Sequence, residues 1–290
     1  MKGQITLKNK TILITGSEGF TGKVLLTLLK NKDTKVVCTG LSDKVDKLYY
    51  QCNLAHEKSV MTMVEEIKPD EIYHLAGSFS NDFNIDLESN LIATKNILES
   101  VYKITKKTRV LLVGSSAEYG RIKESDSPIS ELHSLNPASV YGLTKIFQTY
   151  LMRLYVELHG LDIVMARVFN LNGKGMSEKL FIGSLYKQIK DFKDNKIKEI
   201  LLGNINNERD YVSVNKAVIA YKKIMKTGVT GEIYNVGSGK PEKIESILNQ
   251  ILKDEGIHEN FVKTNCKNNT KYDVKTIFAN IKKFNKLGEL

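Results

Sequence analysis

The chain has 290 residues, 41% of them hydrophobic, with 20 glycines, 4 prolines, 3 cysteines and no tryptophan. That length can bury a full core, the apolar content is too high for a disordered chain, and no apolar run reaches the roughly 18 residues of a membrane span. Lys and Arg outnumber Asp and Glu by 43 to 33, a net charge of +10, which directs attention to anionic partners: nucleic acid, a membrane surface or anionic small ligands.

The lysines are spread along the chain and are densest at Lys103–Lys107, Lys187–Lys198 and Lys263–Lys283. Aromatic residues do not interleave with them as a base-stacking surface requires, so they read as a solvated face and no nucleic-acid partner is expected. Cys38, Cys52 and Cys266 are odd in number and far apart. They suggest neither a disulfide framework nor a metal site, and they fit a reducing cytoplasm. The first ten residues are polar, and Thr11–Thr15 is too short for an export signal. A cytoplasmic protein without a membrane partner is expected.

Apolar, β-rich runs alternate with helical patterns. Ile12–Ile14 predicts a strand and Gly22–Lys30 a helix. Lys35–Cys38 predicts a strand, Ser59–Ile67 a helix stopped before Pro69, and Glu71–His74 a strand. Asn90–Tyr102 reads as a helix, Val110–Val113 as a strand, Tyr141–His159 as a helix and Asp162–Ala166 as a strand. Continuous apolar strands alternating with helices argue an α/β fold with a doubly wound parallel sheet. Such a sheet binds ligands beyond the carboxyl ends of its strands. Past residue 167 the pattern loosens. Phe181–Lys193, Ser213–Lys226 and Lys243–Asp254 look helical, and Glu199–Leu202 and Glu232–Val236 look like short strands. The expected division is a dinucleotide-binding domain over 1–167 and a smaller substrate lobe over 168–290, which could return a strand to the main sheet.

Three motifs carry chemistry. Gly16-Ser17-Glu18-Gly19-Phe20-Thr21-Gly22 follows the first strand and opens a helix. Its glycines allow a tight turn and close approach of backbone to a diphosphate, and the helix N-terminus supplies N–H groups and positive potential. Tyr141 and Lys145 lie four residues apart, on one face of a helix. An ammonium beside a phenol lowers the pKa of the phenol, and an unperturbed phenol, near ~10, is a poor base at neutral pH. Val113-Gly114-Ser115-Ser116-Ala117-Glu118-Tyr119-Gly120 ends the fourth long strand. A serine hydroxyl there can bond the same substrate oxygen that a tyrosine protonates.

With TGSEGFTG, IKPDEIYHLAG, SNLIATKNILES, GSSAEYG, NPASVYGLTK, ARVFNLNGKG, ERDYVSV and GEIYNVGSG, the chain resembles the extended short-chain dehydrogenases/reductases that act on nucleotide-sugars, the NAD-dependent epimerase/dehydratase family. The resemblance covers nearly the whole chain and implies a Rossmann-type sheet with a C-terminal substrate lobe. Within the family, GSSAEYG, RVFNLNGKG and ERDYVSV look most like GDP-4-keto-6-deoxymannose reductases, neighbours of the GDP-mannose 4,6-dehydratases. The resemblance implies catalysis by Ser116, Tyr141 and Lys145. It implies a cofactor site of Gly16, Gly19, Phe20, Gly22, Ser42, Asn53, Leu54, Leu75, Ala76 and Gly77, together with Tyr141 and Lys145. It implies substrate contacts at Ser80, Asn90, Ser115, Asn170 and Arg209. Asn90 reads equally well as a helix cap; an ion pair with Asp210 is the minor alternative for Arg209; and His74 reads as a packed, satisfied histidine outside catalysis. A homodimer built on Asn90–Tyr102 and Tyr141–His159 is also implied.

Glu118 separates two mechanisms. In the family's dehydratases a glutamate two residues after the catalytic hydroxyl removes the C5 proton, and Ser116 and Glu118 have that spacing. Glu118 abuts Tyr119, however, as in the reductase pattern, so a GDP-linked 4-keto-6-deoxy sugar reduced at C4 is the leading expectation. A 4,6-dehydratase, a C4 epimerase, a C4 dehydrogenase and a non-catalytic dinucleotide or nucleotide-sugar sensor are the alternatives. The expected cofactor is NADP(H) or NAD(H). No acid closes the second strand at Cys38-Thr39-Gly40-Leu41-Ser42-Asp43-Lys44. Ser42 and Lys44 tilt the reading towards NADP, and Asp43 keeps NAD open. Asn53-Leu54 replaces the usual Asp-Leu near the adenine. Thr270-Lys271-Tyr272-Asp273 stands where the family has an Arg-Pro-x-acidic segment, with Lys271 or Lys275 as substitutes, and the family's Trp-x-Pro segment has no counterpart before Leu290.

Overall fold

The computed structural model describes residues 10–264 and 274–288, so Thr270–Asp273 lies outside the described residues. The first part of the chain runs β1 (Lys10–Thr15), α1 (Phe20–Leu29), β2 (Thr34–Gly40), β3 (Tyr49–Gln51), α2 (Glu57–Ile67), β4 (Glu71–His74) and α3 (Phe83–Asp86). A π-helical stretch, Leu87–Ile92, then leads into α4 (Ala93–Ile104), β5 (Arg109–Ser115), α5 (Val140–His159) and β6 (Ile163–Val168). Next come β7 (Asn170–Asn172), α6 (Phe181–Lys193), β8 (Ile200–Leu202), β9 (Glu208–Arg209), β10 (Tyr211–Ser213), α7 (Val214–Thr227) and β11 (Ile233–Val236). The chain closes with β12 (Glu242–Lys243), α8 (Ile244–Glu255), β13 (Val262–Thr264), β14 (Thr276–Ile277) and α9 (Lys282–Asn285).

Seven strands form the central sheet in the order β11-β6-β5-β4-β1-β2-β3, all parallel. The chain leaves β1 towards β2 on one side and towards β4 on the other, which opens a ligand crevice at the carboxyl ends of β1 and β4. Alternate residues of β1 enter different cores. Ile12 and Ile14 pack with Leu25, Ala217 and Tyr221. Leu13 packs with Val60, Ile97 and Val101 on the opposite face. Both faces are covered, and that explains the continuous apolar runs. Local signals set the long helix. Ser139 caps α5 by accepting from the Gly142 N–H at 3.0 Å, and Gly160 ends it in the left-handed conformation.

The sequence-based division at residue 167 needs refining. β11 pairs with β6, and α7 packs into the core that holds Ile12 and Leu25, so residues 214–236 return to the main sheet. The remaining C-terminal elements build a smaller core of α6, β8 and α8 around Leu185, Ile200 and Leu248. The strand β3 and the turns over 83–92 carry no sequence periodicity that announces them.

Candidate active site

The glycine turn is built by close approach. Gly16 has φ +66°, and a Cβ there would lie 2.7 Å from the Ala76 nitrogen. A Cβ on Gly22 would run into the Gly16 carbonyl. Gly19 donates to that carbonyl at 3.1 Å and begins α1 with no side-chain cap. The helix therefore presents first-turn N–H groups and its positive end to the crevice, as a dinucleotide diphosphate requires. Phe20 lies against Gly173, where a Cβ would be 2.9 Å from Cζ, so its ring packs α1 onto the loop after β7. Leu75 packs into the core beneath α1. Ala76 donates to Thr15 Oγ1 at 3.2 Å, and Gly77 is exposed at the crevice. These residues fit the walls of a dinucleotide cleft.

Asn53 and Leu54 are occupied by the protein itself. Asn53 Oδ1 accepts from the Ala55 N–H at 3.0 Å, Leu54 is buried in the core, and the Leu54 carbonyl takes Asn96 Nδ2 at 2.9 Å. Ser42 donates to Glu18 Oε2 at 2.9 Å. Glu18, which passes in the sequence as a spacer between glycines, is brought to the end of β2 by contacts with Ser42 and Tyr49.

A buried polar row runs beneath the crevice. Thr15 Oγ1 meets His74 Nδ1 at 2.8 Å, and His74 Nε2 meets Thr94 Oγ1 at 3.0 Å. Thr94 donates to the Asn90 carbonyl at 2.6 Å and accepts from Gln148 Nε2 at 2.9 Å. Its hydroxyl proton is thus committed, so His74 carries its proton on Nε2 and accepts from Thr15 on Nδ1. Gln148 Oε1 in turn accepts from Lys145 Nζ at 3.1 Å. Burial, then the charge of Lys145, push the His74 pKa down to about 3. The packed reading of His74 matches this geometry.

Lys145 Nζ also donates to the Val113 carbonyl at 2.9 Å. Burial lowers its pKa to about 8, against the raising fields of Glu118 and Asp86. Its ammonium lies 5.9 Å from the Tyr141 ring centroid. The expected lowering of the phenol is not what this geometry produces. Burial lifts Tyr141 to about 12, and the hydrogen bond that opposes the lift comes from Ser115. Phe79 packs edge-on to the Tyr141 ring at 4.8 Å.

Ser115 is the last residue of β5, whereas Ser116 opens the following 3-10 turn. Of the two, it is Ser115 that opposes the rise of the Tyr141 phenol, which makes it a candidate beside Ser116 for the catalytic hydroxyl. Glu118 is fully buried. Its Oε1 accepts from the Ser115 N–H at 2.8 Å. Its Oε2 accepts from Thr149 Oγ1 at 2.6 Å and from Arg167 at 2.7 Å. With both oxygens bonded to protein donors, Glu118 holds the turn in place.

The expected substrate residues separate. Asn90 is completely buried in the π-helical stretch. It accepts from Ser78 N–H at 3.0 Å and donates to the Ser78 carbonyl at 2.9 Å and to Thr144 Oγ1 at 3.0 Å. It shapes the crevice wall from below and caps no helix; Asp82 caps α3. Ser80 donates to Asp86 through Oγ at 2.7 Å and through N–H at 2.9 Å. Burial pushes the Asp86 carboxyl up, but these bonds and those from Asn81 and Ser78 hold it below its usual value. Asn170 Nδ2 donates to the Asp210 carbonyl at 3.1 Å. Arg209 donates to the carbonyls of Glu208 and Lys275 at 2.8 and 3.0 Å. The Asp210 carboxylate takes Ser238 N–H and Oγ, Gly239 N–H and Ala279 N–H at 2.6–3.1 Å, so its role is to fold the loop after β11. Among the described residues no helix is long and apolar enough to cross a membrane.

A glycine turn at the carboxyl end of β1 and a Ser115–Tyr141–Lys145 group at the end of β5 together define a nicotinamide-dependent oxidoreductase fold. The family model for the NAD dependent epimerase/dehydratase family matches residues 12–237, and the chain belongs to that family of enzymes. The GDP-6-deoxy-D-mannose reductase of Pseudomonas aeruginosa is 27% identical over 84% of this chain and 79% of the relative. The GDP-6-deoxy-D-talose 4-dehydrogenase of Aggregatibacter actinomycetemcomitans is 31% identical over 88% of this chain and 83% of the relative. In fold, the chain matches Pseudomonas aeruginosa RMD complexed with NADPH at TM-score 0.82 and 23% identity, over 96% of this chain and 92% of the other. It matches the dTDP-glucose 4,6-dehydratase DesIV of Streptomyces venezuelae, with NAD bound, at TM-score 0.82 and 19% identity, over 96% and 91%.

Two predictions follow from the buried groups. The unfolded chain protonates His74 near its ordinary value of 6.5 while the folded chain resists protonation down to about 3. Stability should therefore fall as pH drops through that window. His74→Gln should flatten part of that slope, measured as urea midpoints at pH 7 and pH 4.5. Arg167 and Glu118 are 1% and 0% exposed. Arg167→Met should cost about 3–5 kcal/mol by leaving a buried carboxylate unpaired, and adding Glu118→Leu should recover much of that loss, read by denaturant unfolding.

Proposed function

We propose that the chain reduces the C4 ketone of a GDP-linked 4-keto-6-deoxy sugar with a nicotinamide cofactor. The observation that carries this reading is Tyr141, half-buried at the start of α5 with Phe79 edge-on to its ring, its phenol raised by desolvation to about 12 against the opposing influence of Ser115. Such a phenol stays protonated at neutral pH, ready to act as an acid towards a developing alkoxide. The two carboxylates whose fields reach Tyr141 are Glu118 and Asp86. Both are held in protein hydrogen bonds, which argues against a dehydratase base. The names of two relatives place a reductase and a 4-dehydrogenase on GDP-linked 6-deoxy hexoses, which supports the GDP linkage and chemistry at C4.

When bound, the reduced nicotinamide supplies the hydride that C4 accepts. Tyr141 gives its phenolic proton to the C4 oxygen, and the ketone becomes an alcohol. Ser115 bonds that oxygen as its charge grows. Lys145, fixed by Val113 and Gln148, holds the cofactor ribose and offers a positive field beside the phenol. Arg209 is the residue for the sugar-nucleotide diphosphate, because a guanidinium fork suits paired phosphate oxygens.

Tyr141→Phe keeps the ring against Phe79 and removes the proton. It should lower turnover by about 10²–10⁴-fold while leaving dinucleotide binding intact. Assays with the 4-keto-6-deoxy product of GDP-mannose and reduced cofactor should yield the 6-deoxy alcohol. Conversion of GDP-mannose itself without reductant would replace this reading with a dehydratase, and interconversion of C4 epimers would replace it with an epimerase. Tight dinucleotide binding without turnover on any nucleotide-sugar would indicate a sensor.

A second copy of the chain is the proposed protein partner. Tyr150, Leu154 and Leu158 form an exposed apolar row on α5, beside Leu91 and Phe147. Leu154→Glu should convert a dimer into a monomer in light scattering after gel filtration; an unchanged mass would remove this face from the interface.

A further inference from the structure

The end of β2 lacks the acid that reads a ribose in NAD enzymes of this architecture. The structure nevertheless brings a carboxylate to that place from another element. Glu18 reaches out of the glycine turn to the end of β2. Its Oε2 accepts from Ser42 Oγ at 2.9 Å and from Tyr49 Oη at 2.9 Å, and its Oε1 pairs with Lys44 Nζ. A Cβ at Gly40 would run into Glu18 Oε2 and lie 2.7 Å from Tyr49 Oη, so the glycine at the usual acid position is what admits the carboxylate.

Two hydroxyls and an ammonium converging on one point form an anion cradle, and Glu18 fills it. We infer that Glu18 is the cofactor-selecting residue, an acid supplied by the glycine turn that accepts from the adenosine ribose hydroxyls and excludes a 2′-phosphate, making the enzyme prefer NAD(H) to NADP(H). Ser42 and Lys44, the residues that tilt the sequence reading towards NADP, are the residues that hold this carboxylate. Lys44 first, and then Ser42, keep its carboxyl down at about 2, so it stays ionised throughout the working range. A phosphate dianion arriving there meets a like charge and a cradle already occupied.

The inference rests on the nicotinamide reading above, and its test separates the two. Dissociation constants for NADH and NADPH are measured on the full chain by nicotinamide fluorescence, and those for AMP and adenosine 2′,5′-bisphosphate by calorimetry. The wild type should bind NADH more tightly by about tenfold or more. Glu18→Gln keeps the shape and removes the charge. It should close most of that gap by strengthening NADPH and the bisphosphate, and Glu18→Gln with Lys44→Met should lose that gain. Equal or tighter binding of NADPH by the wild type would overturn the assignment. So would a Glu18→Gln variant that shifts both cofactors alike. Binding of neither dinucleotide would overturn the nicotinamide reading itself, and this inference with it.

Discussion

The row Thr15–His74–Thr94–Gln148–Lys145 fixes everything above it. Its members come from β1, β4, α4 and α5, the elements that line the crevice. Each is buried, and an unpaired polar group there would cost a free energy comparable to a lost hydrogen bond or more. The row is satisfied only if the glycine turn, the β4 terminus and α5 sit at one mutual distance. Lys145 is therefore not a flexible surface cation that meets a ligand on arrival. Two of its three donors are held by Val113 and Gln148, so its orientation is preset. The neutrality of His74 belongs to the same constraint. A charged imidazole would need acceptors at both nitrogens; Thr94 serves as one at Nε2, but at Nδ1 the Thr15 hydroxyl is a donor.

The π-helical stretch extends this logic to the sugar side. Fitting one more residue per turn lets Asn90 point inward, where it pins the backbone of Ser78 on one side and Thr144 on the other. The segment above carries Phe79, which rests on Tyr141. The buried pair of Glu118 and Arg167 does the same for the far wall. Arg167 on β6 is the register partner of Gly114, and Glu118 folds back onto the Ser115 N–H. The pair helps set where β5 ends and the turn that begins at Ser116 starts. A buried ion pair is weak evidence for stability, because desolvation offsets most of its attraction. Here its consequence is positional.

The sheet was legible because its strands are apolar on both faces and its helices carry plain boundaries, such as Pro69 after α2 and Gly160 after α5. The glycine turn and the Tyr141–Lys145 pair were legible because each depends on spacing along one element. The sequence reading places the catalytic hydroxyl on Ser116, whereas our proposal places it on Ser115, and the physical ground for the difference is written in the chain. Ser115-Ser116-Ala117-Glu118 is a capping box, in which the glutamate returns to the backbone N–H of the capping serine. Read that way, Ser115 ends the strand and Glu118 is already occupied. Asn90 and Glu18 were less accessible. The role of one depends on a π turn, and that of the other on Gly40, Ser42 and Tyr49 coming to meet it. Both are properties of tertiary contact, which no periodicity encodes.

The excess of lysine takes on a different meaning beside this site. The completely or nearly completely buried cations near Tyr141 are Lys145 and Arg167, and the buried anions acting on them are Asp86 and Glu118. The catalytic ground is thus close to neutral, and net charge is not what draws a diphosphate into it. Outside, single carboxylates hold two lysines each: Glu57 with Lys95 and Lys103, Asp191 with Lys187 and Lys196, Glu255 with Lys174 and Lys193. Such exposed pairs contribute little each to stability, and they spread the unbalanced charge thinly over the surface. On the proposed reading, recognition of anions falls to fixed donors, the first turn of α1 and the Arg209 guanidinium, whose geometry discriminates between ligands in a way that a diffuse positive surface cannot.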